Sequence, residues 1–155
     1  MAAEGSTGER KQRPIAEMLR LPTTSGEKPY LVGYRCQACG ATYIGAGRVG
    51  CSKCTSTDPP KEIKLSDRGS LYVYSIVHQS VPGVPVPYVS AIVDLPDGVS
   101  VRCNLVDIEP DPAKIKFGMP VEMVTRKVRE RKEKNADGVE ETIDIIAFFF
   151  KPSQN

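Results

Sequence analysis

The sequence contains no tryptophan and a single histidine, and aromatic residues make up only 6% of its 155 residues. Histidine is the side chain most often used as a general base, and it normally comes with an orienting carboxylate or a paired nucleophile. His78 has neither in a recognisable sequence pattern, and the chain lacks the glycine-rich phosphate loops of nucleotide-binding enzymes. The sequence therefore argues against an enzyme that works alone.

Long hydrophobic runs are missing as well. The longest extend over a few residues, whereas about 18 are needed to cross a bilayer. The polar residues 1–14 also contain no apolar stretch of the kind that a secretory signal requires. We therefore expect no membrane span and a cytoplasmic protein whose thiols stay reduced. The formal net charge of +2 is nearly balanced, so long-range attraction to nucleic acid should be weak.

Turn-forming residues, by contrast, are abundant. Thirteen glycines and thirteen prolines favour many turns and short strands over long helices, so we predict a mainly β protein. One short helix, an N-terminal arm, is predicted between Pro14 and Pro22. Its apolar residues Ile15, Met18 and Leu19 follow helical spacing. The sequence leaves open whether this apolar face packs on its own domain or on a second protein.

Five stretches with strand character follow the breaker cluster at residues 56–60. They are residues 71–79, 88–95, 99–106, 121–131 and 141–150. A Pro-Asp-Gly turn joins the second stretch to the third, and an insert with two prolines and a glycine separates the third from the fourth. This order matches a five-stranded OB-fold barrel, although a five-stranded open sheet or an SH3-like barrel would give almost the same pattern.

Four of the five cysteines lie in two C-x-x-C pairs, Cys36 with Cys39 and Cys51 with Cys54, separated by eleven residues. Each pair lets two sulfurs approach one ion, and two pairs supply the four thiolates that Zn²⁺ binds in a tetrahedron. Four protein ligands leave no open position for a substrate, so the predicted zinc ion is structural. A module of about 30 residues would also need the binding energy of the metal in order to fold.

Other roles for these cysteines stay open. The same four sulfurs can hold a rubredoxin-type iron, which is the strongest alternative to zinc. Disulfides are disfavoured in a reducing compartment, and a thioredoxin-like redox pair would need a βαβ pattern that the sequence does not have. The fifth cysteine, Cys103, lies alone in a predicted strand, and we interpret it as a small buried residue rather than a nucleophile.

Two further features also leave alternatives open. We interpret His78 as a structural or surface histidine, with a contact to a ligand or partner as the alternative. The basic run at residues 126–134 faces several acids across the predicted second hairpin, so cross-strand pairing would neutralise most of it. A basic finger that binds phosphate groups is the alternative for that hairpin.

Several separate stretches, in the right order, resemble the family of proteins with domain of unknown function 35. They are residues 67–78, 87–94, 104–111, 115–123 and 147–152, and the likeness covers about residues 14–152. It implies an N-terminal helical arm, a rubredoxin-like zinc ribbon and an OB-fold. We place a disordered start and the short arm at residues 1–28, the ribbon at 29–60 and the OB-fold at 61–155. Thr55 departs from the family pattern, in which a glycine often follows the second cysteine pair.

The resemblance also implies a function. Family members are small partners of thiolase-fold enzymes that make or break carbon–carbon bonds in acyl-CoA compounds, in some cases in anaerobic aromatic degradation. The expected partner is a thiolase-fold catalytic subunit, which would own the catalytic residues of a hetero-oligomer that binds a coenzyme A thioester. For contacts to that ligand or partner we expect His78, Pro82 and Tyr88, in a loop between barrel strands. The alternative is that Tyr88 packs at the start of a strand and that Pro82 only stiffens a turn. The alternative is a zinc-ribbon and OB-fold protein that binds single-stranded nucleic acid.

Overall fold

The computed structural model describes residues 10–24 and 26–154. Within those residues the regular elements are all β-strands, and no helix capable of crossing a membrane occurs there. The strands are β1 (Gln12–Pro14), β2 (Leu19–Arg20), β3 (Tyr30–Arg35), β4 (Thr42–Tyr43), β5 (Lys61–Lys64), β6 (Arg68–Val77), β7 (Tyr88–Asp94), β8 (Ser100–Leu105), β9 (Pro120–Lys134) and β10 (Glu140–Pro152).

Five of these strands close into a barrel. Strands β6, β7 and β8 form an antiparallel meander, β9 pairs with β6, and β10 pairs with both β9 and β8. The last pairing is parallel and joins Phe150 to Leu105, next to a hydrogen bond of 2.9 Å from the Val106 amide to the Phe150 carbonyl. Closure in this order is that of an OB-fold, which confirms the predicted mainly β class and its five-stranded barrel.

The barrel interior is built by alternation along each strand. In β8 the side chains of Val101, Cys103 and Leu105 are buried, whereas the intervening residues are exposed. Successive side chains of a strand point to opposite faces, so a closed sheet places every second residue in the core. At the centre of this core lie residues that are 1% exposed or less, namely Leu71, Val93, Val101, Val121 and Phe150.

A second, smaller sheet carries the cysteine region. It consists of β2, β3 and β4 in that order, with β5 also paired to β3. Its buried residues Leu19 and Leu31, together with Leu65 just after β5, belong to the same hydrophobic cluster as the barrel interior. The two sheets therefore share one core, and the division at residues 28 and 60 stays a prediction.

The predicted helix between Pro14 and Pro22 is not found, and this segment forms β1, a turn and β2 instead. Strand β1 pairs in parallel with β10, and the Ile15 amide continues the ladder with a 2.8 Å hydrogen bond to the Ile146 carbonyl. A helix of two turns has little stability of its own, so hydrogen bonds offered by a strand edge decide the conformation. Any part of the arm before residue 10 lies outside the described residues.

Candidate metal centre

The structure brings all four paired cysteines together. Their sulfur atoms lie within 4.8 Å of one another, with distances of 3.6 Å for Cys36–Cys54 and for Cys39–Cys51. Four sulfurs placed about 2.3 Å from a central ion would be about 3.8 Å apart in a tetrahedron. The cluster therefore fits a tetrahedrally bound metal ion. Sulfurs in a disulfide would be about 2.05 Å apart, and all five cysteines are free thiols.

The two cysteine turns are built in the same way. The amide of Gly40 donates to the carbonyl of Cys36 at 2.9 Å, and the amide of Thr55 donates to the carbonyl of Cys51 at 2.8 Å. The residue that closes each turn has a positive φ, 75° for Gly40 and 62° for Thr55. Glycine adopts this left-handed region freely, but threonine pays a steric cost because of its β-branched side chain. The second turn is therefore the more strained of the two.

Exchanging residues at these two equivalent positions should change stability in opposite directions. Gly40→Ala is expected to lower the free energy of unfolding by about 1–2 kcal/mol, because alanine disfavours the positive φ. A Cβ atom added there would meet nothing within 4 Å, so the cost is conformational. Thr55→Gly is expected to raise the free energy of unfolding by about 0.5 kcal/mol. Urea denaturation of the metal-loaded chains measures both, and equal signs would contradict the shared turn geometry.

The surroundings of Cys51 and Cys54 shift the pKa values of these two thiols in opposite directions. The Tyr43 hydroxyl and then the backbone amides of Cys54 and Lys53 hold the pKa of Cys51 at about 6, well below the usual value for a thiol. The pKa of Cys54 rises to about 12 instead, because desolvation and the three neighbouring thiols outweigh the lowering effect of the Ser56 amide. Four thiolates cannot share this space alone, so a bound cation is needed to hold all of them deprotonated.

The fifth cysteine, Cys103, is not part of this cluster. Cys103 points into the barrel core from β8 and is 7% exposed. Burial raises the pKa of its thiol to about 12, so the reactive thiolate form is scarce at neutral pH. This agrees with the interpretation of Cys103 as a small core residue.

The three predicted contact residues lie at or beside the loop between β6 and β7. His78 and Pro82 are exposed in this loop, and Tyr88 is half-buried at the start of β7. The loop also exposes three valines, with Val81 at 67%, Val84 at 42% and Val86 at 44%. Residues 78–87 contain no acidic residue, lysine or arginine. The loop thus presents an uncharged, apolar surface, and charged residues are depleted at the centres of protein–protein interfaces.

Tyr88 also lines a groove of about 440 Å³ on the outside of the barrel. Its polar lining comes from Ser90 on β7 and from Arg102 and Asn104 on β8, which pairs with β7. Its apolar lining includes Phe149 on β10. His78 and Pro82 are not among the residues that line this groove, and the contacts expected of all three residues stay a prediction. Arg102 was missed from sequence, because an outward-facing arginine on a strand carries no local signal of a groove.

Among the described residues, ion pairs across the hairpin formed by β9 and β10 engage two lysines of its basic run, Lys127 and Lys132, so cross-strand pairing neutralises part of the run rather than most of it. Cross-strand pairing joins Lys127 to Asp144 at 2.9 Å, as the sequence predicts. Basic residues before and within β1 also pair with acids of this hairpin, which the sequence does not predict. These contacts are Arg10–Glu130 at 2.8 Å, Lys11–Glu141 at 2.7 Å and Arg13–Glu133 at 2.7 Å. The Lys11 ammonium, and after it the Asn135 amide, holds the pKa of Glu141 below its usual value.

A closed OB-fold barrel and a four-cysteine ribbon, sharing one core, define a class of small two-part proteins in which the ribbon can hold one metal ion. The chain belongs to the DUF35 family, the proteins with domain of unknown function 35. A "DUF35 domain-containing scaffold protein" from Methanocaldococcus jannaschii is 35% identical over 131 residues, which are 83% of this chain and 86% of the relative. Residues 62–126 match the family described as "ChsH2, C-terminal OB-fold domain".

Two other comparisons extend this likeness. The "Benzoylsuccinyl-CoA thiolase subunit BbsA" of Thauera aromatica is 30% identical over 137 residues, covering 87% of this chain and 84% of that protein. A solved structure named "Ltp2-ChsH2(DUF35) aldolase" is 31% identical, with a TM-score of 0.56, and covers 79% of this chain and 84% of the other. From sequence alone, the size and polar start of the chain also favour a likeness to the small subunit of benzoylsuccinyl-CoA thiolase.

Proposed function

We propose that this protein is a non-catalytic accessory subunit of an acyl-CoA thiolase-type complex. In that role it supports carbon–carbon bond cleavage or formation by a larger, thiolase-fold partner. The observation that carries this proposal is the likeness, over most of the chain, to relatives named as a scaffold protein and as a thiolase subunit. The name of the similar solved structure, which joins a DUF35 protein to an aldolase, supports it as well.

The metal ion in this proposal is a structural Zn²⁺ held by Cys36, Cys39, Cys51 and Cys54. The sulfur spacing supports a tetrahedral ion, and four thiolates suit zinc. Four protein ligands fill the coordination sphere, so the ion stabilises the ribbon and does not bind substrate. Iron bound by the same four sulfurs would give a red protein with a visible thiolate-to-iron absorption band, which distinguishes the two metals in the purified chain.

The described residues give little support to a reaction centre in this chain. Cys103 is buried with a raised pKa, and His78 is exposed with no carboxylate among its described hydrogen-bond or ion-pair partners. A general base needs an orienting group, and a nucleophile needs an activating base. We therefore assign the catalytic residues to the partner subunit.

The groove on β7 and β8 is the place where we propose that this subunit touches a coenzyme A thioester. Its volume of about 440 Å³ lies in the range of small-molecule sites, which combine an apolar lining with a few polar groups. Tyr88 and Phe149 offer aromatic surface, and the exposed Arg102 guanidinium offers donors to a phosphate group. The loop with His78 and Pro82 is the proposed contact to the thiolase-fold subunit, because its valines are exposed and it carries no charge.

Co-expression with a thiolase-like protein encoded by a neighbouring gene tests the proposal. The two chains are expected to elute together from a sizing column as a hetero-oligomer, and native mass spectrometry should find the metal in the complex. Thiolase activity is expected only in the presence of the large subunit. Clean separation of the two chains, with full activity in the large subunit alone, would refute the proposal.

Two exposed valines provide a matched pair for the same experiment. Val81→Asp places a charge in the uncharged loop and is expected to weaken the complex by roughly 10-fold or more, since a single interface residue can contribute 2 kcal/mol. Val139 lies at the turn of the long hairpin and is 59% exposed, and Val139→Asp is expected to leave binding unchanged.

Tight binding of a single-stranded oligonucleotide with a steep salt dependence would favour the nucleic-acid alternative instead.

A further inference from the structure

We propose that Tyr43 is a positioning residue of the metal centre. Its hydroxyl group donates a hydrogen bond to the sulfur of Cys51 and thereby slows the loss of the ion. This inference rests on the proposed zinc ion and not on the proposed partner. It assigns a role to a residue in the spacer between the two cysteine pairs, outside the four ligands themselves.

The position of Tyr43 follows from the strand pairing of the ribbon. Strand β4 pairs with β3, so that Tyr43 lies opposite Tyr34. This places the Tyr43 hydroxyl oxygen 3.2 Å from Cys51 Sγ, which is within hydrogen-bonding distance of a sulfur acceptor. In the part of the chain that the structure describes, no other side-chain hydroxyl makes such a contact with the four sulfurs.

Two neighbouring side chains hold the tyrosine in place and strengthen it as a donor. The hydroxyl of Ser52 donates to the Tyr43 oxygen at 3.1 Å, which leaves the phenolic proton directed at the sulfur. The guanidinium carbon of Arg48 lies 4.1 Å from the centre of the tyrosine ring. A cation over the ring withdraws electron density from it, and a donor chain polarises each of its members. Both effects favour the hydrogen bond to Cys51.

The hydrogen bond matters because four thiolates around Zn²⁺ leave a net charge of about −2 on the site. A donor to one sulfur spreads this charge and makes that sulfur less reactive toward protons, oxidants and alkylating reagents. Tyr43 and Arg48 also line a small cavity beside Cys51, and Cys36 lines it as well. Cys51 should therefore react more slowly than it would without the Tyr43 hydroxyl.

The test uses the full chain loaded with one zinc ion and compares Tyr43→Phe with Tyr34→Phe. Both changes remove one hydroxyl from facing positions of the same sheet, but only Tyr43 contacts a sulfur. Tyr43→Phe is expected to raise the zinc dissociation constant by about 10- to 100-fold, the usual effect of losing a partner of a metal ligand. Tyr34→Phe should bind zinc as the unchanged chain does. Competition with a colorimetric chelator measures the affinity.

A second readout separates a hydrogen bond from general loosening. Under limited alkylation, peptide mapping is expected to show Cys51 reacting faster, relative to the other three cysteines, in Tyr43→Phe than in the unchanged chain. Ser52→Ala should also raise the zinc dissociation constant and the reactivity of Cys51, by a smaller factor. If Tyr43→Phe does not fold, Ser52→Ala tests the hydrogen bond in its place. Equal affinity and equal relative rates of alkylation in all variants would overturn the inference. Failure of the unchanged chain to bind zinc would instead refute the metal assignment.

Discussion

A Cys36→Ser chain is expected to purify without zinc and to lose at least about 4 kcal/mol of its free energy of unfolding. Cys36 is a buried ligand, 5% exposed, and a serine hydroxyl is a poor replacement for a thiolate at a soft four-sulfur site. Loss of a structural metal is among the few single changes with effects this large, because the binding energy of the ion is part of the folding energy.

The loss should extend beyond the ribbon, because ribbon and barrel share one core. Leu19 and Leu31 lie in the same cluster as the barrel residues, so an unfolded ribbon would expose part of the barrel interior to water. Elemental analysis gives the zinc content, and urea denaturation gives the stability. A single early transition of the whole chain is expected, since the two sheets cannot separate without exposing these residues.

The control for this prediction is the fifth cysteine. Cys103→Ala also removes a buried thiol, but it leaves the four ligands untouched, so it should keep one zinc ion per chain and lose only about 1 kcal/mol. If Cys36→Ser kept its zinc, or unfolded at the same urea concentration as Cys103→Ala, the assignment of a structural role to the metal would be wrong.

The pairing of sulfurs within each C-x-x-C turn could be predicted from sequence because its geometry is local. Two residues between paired cysteines bring both sulfurs to one side of a turn, whatever the rest of the fold does. The residue that closes each turn has a positive φ, Gly40 in the first and Thr55 in the second. The structure confirms that the four sulfurs lie together, and metal binding by them stays a prediction.

The barrel strands could also be predicted, because each combines alternation with a turn signal. Their observed bounds differ from the predicted ones by three residues or fewer. The helix failed for the opposite reason, since the fate of Ile15 and its neighbours depends on a partner more than a hundred residues away. The edge of β10 offers hydrogen bonds to β1. No local pattern in the first twenty residues predicts this pairing.

Tyr43 and Arg102 were missed for the same physical reason. The role of each depends on residues that the fold brings close to it. Tyr43 contacts Cys51, and Arg102 lines a groove together with residues of β7. A tyrosine and an arginine within the spacer between two cysteine pairs are the only signal that could have marked the first. For Arg102 the alternation of β8 gives its outward direction, but not the groove beside it.

The parallel seam of the barrel depends on very few residues, and Phe150 is the central one. Strands β8 and β10 are joined through the single residue pair Phe150–Leu105, with the adjacent Val106 amide bonded to the Phe150 carbonyl. The other face of β10 at this point carries Phe149, which is half-buried and lines the external groove. Two neighbouring phenylalanines thus point to opposite sides of one strand.

Phe150→Ala is expected to lower the free energy of unfolding by about 3–5 kcal/mol, the usual effect of emptying a fully buried phenylalanine site. The Phe150 side chain is 0% exposed, so a cavity would remain at the seam where little else joins the two strands. Phe149→Ala removes the same atoms from the outer face and should cost less than about 2 kcal/mol. Urea denaturation of the zinc-loaded chains compares the two, and equal losses would show that the seam is not what Phe150 stabilises.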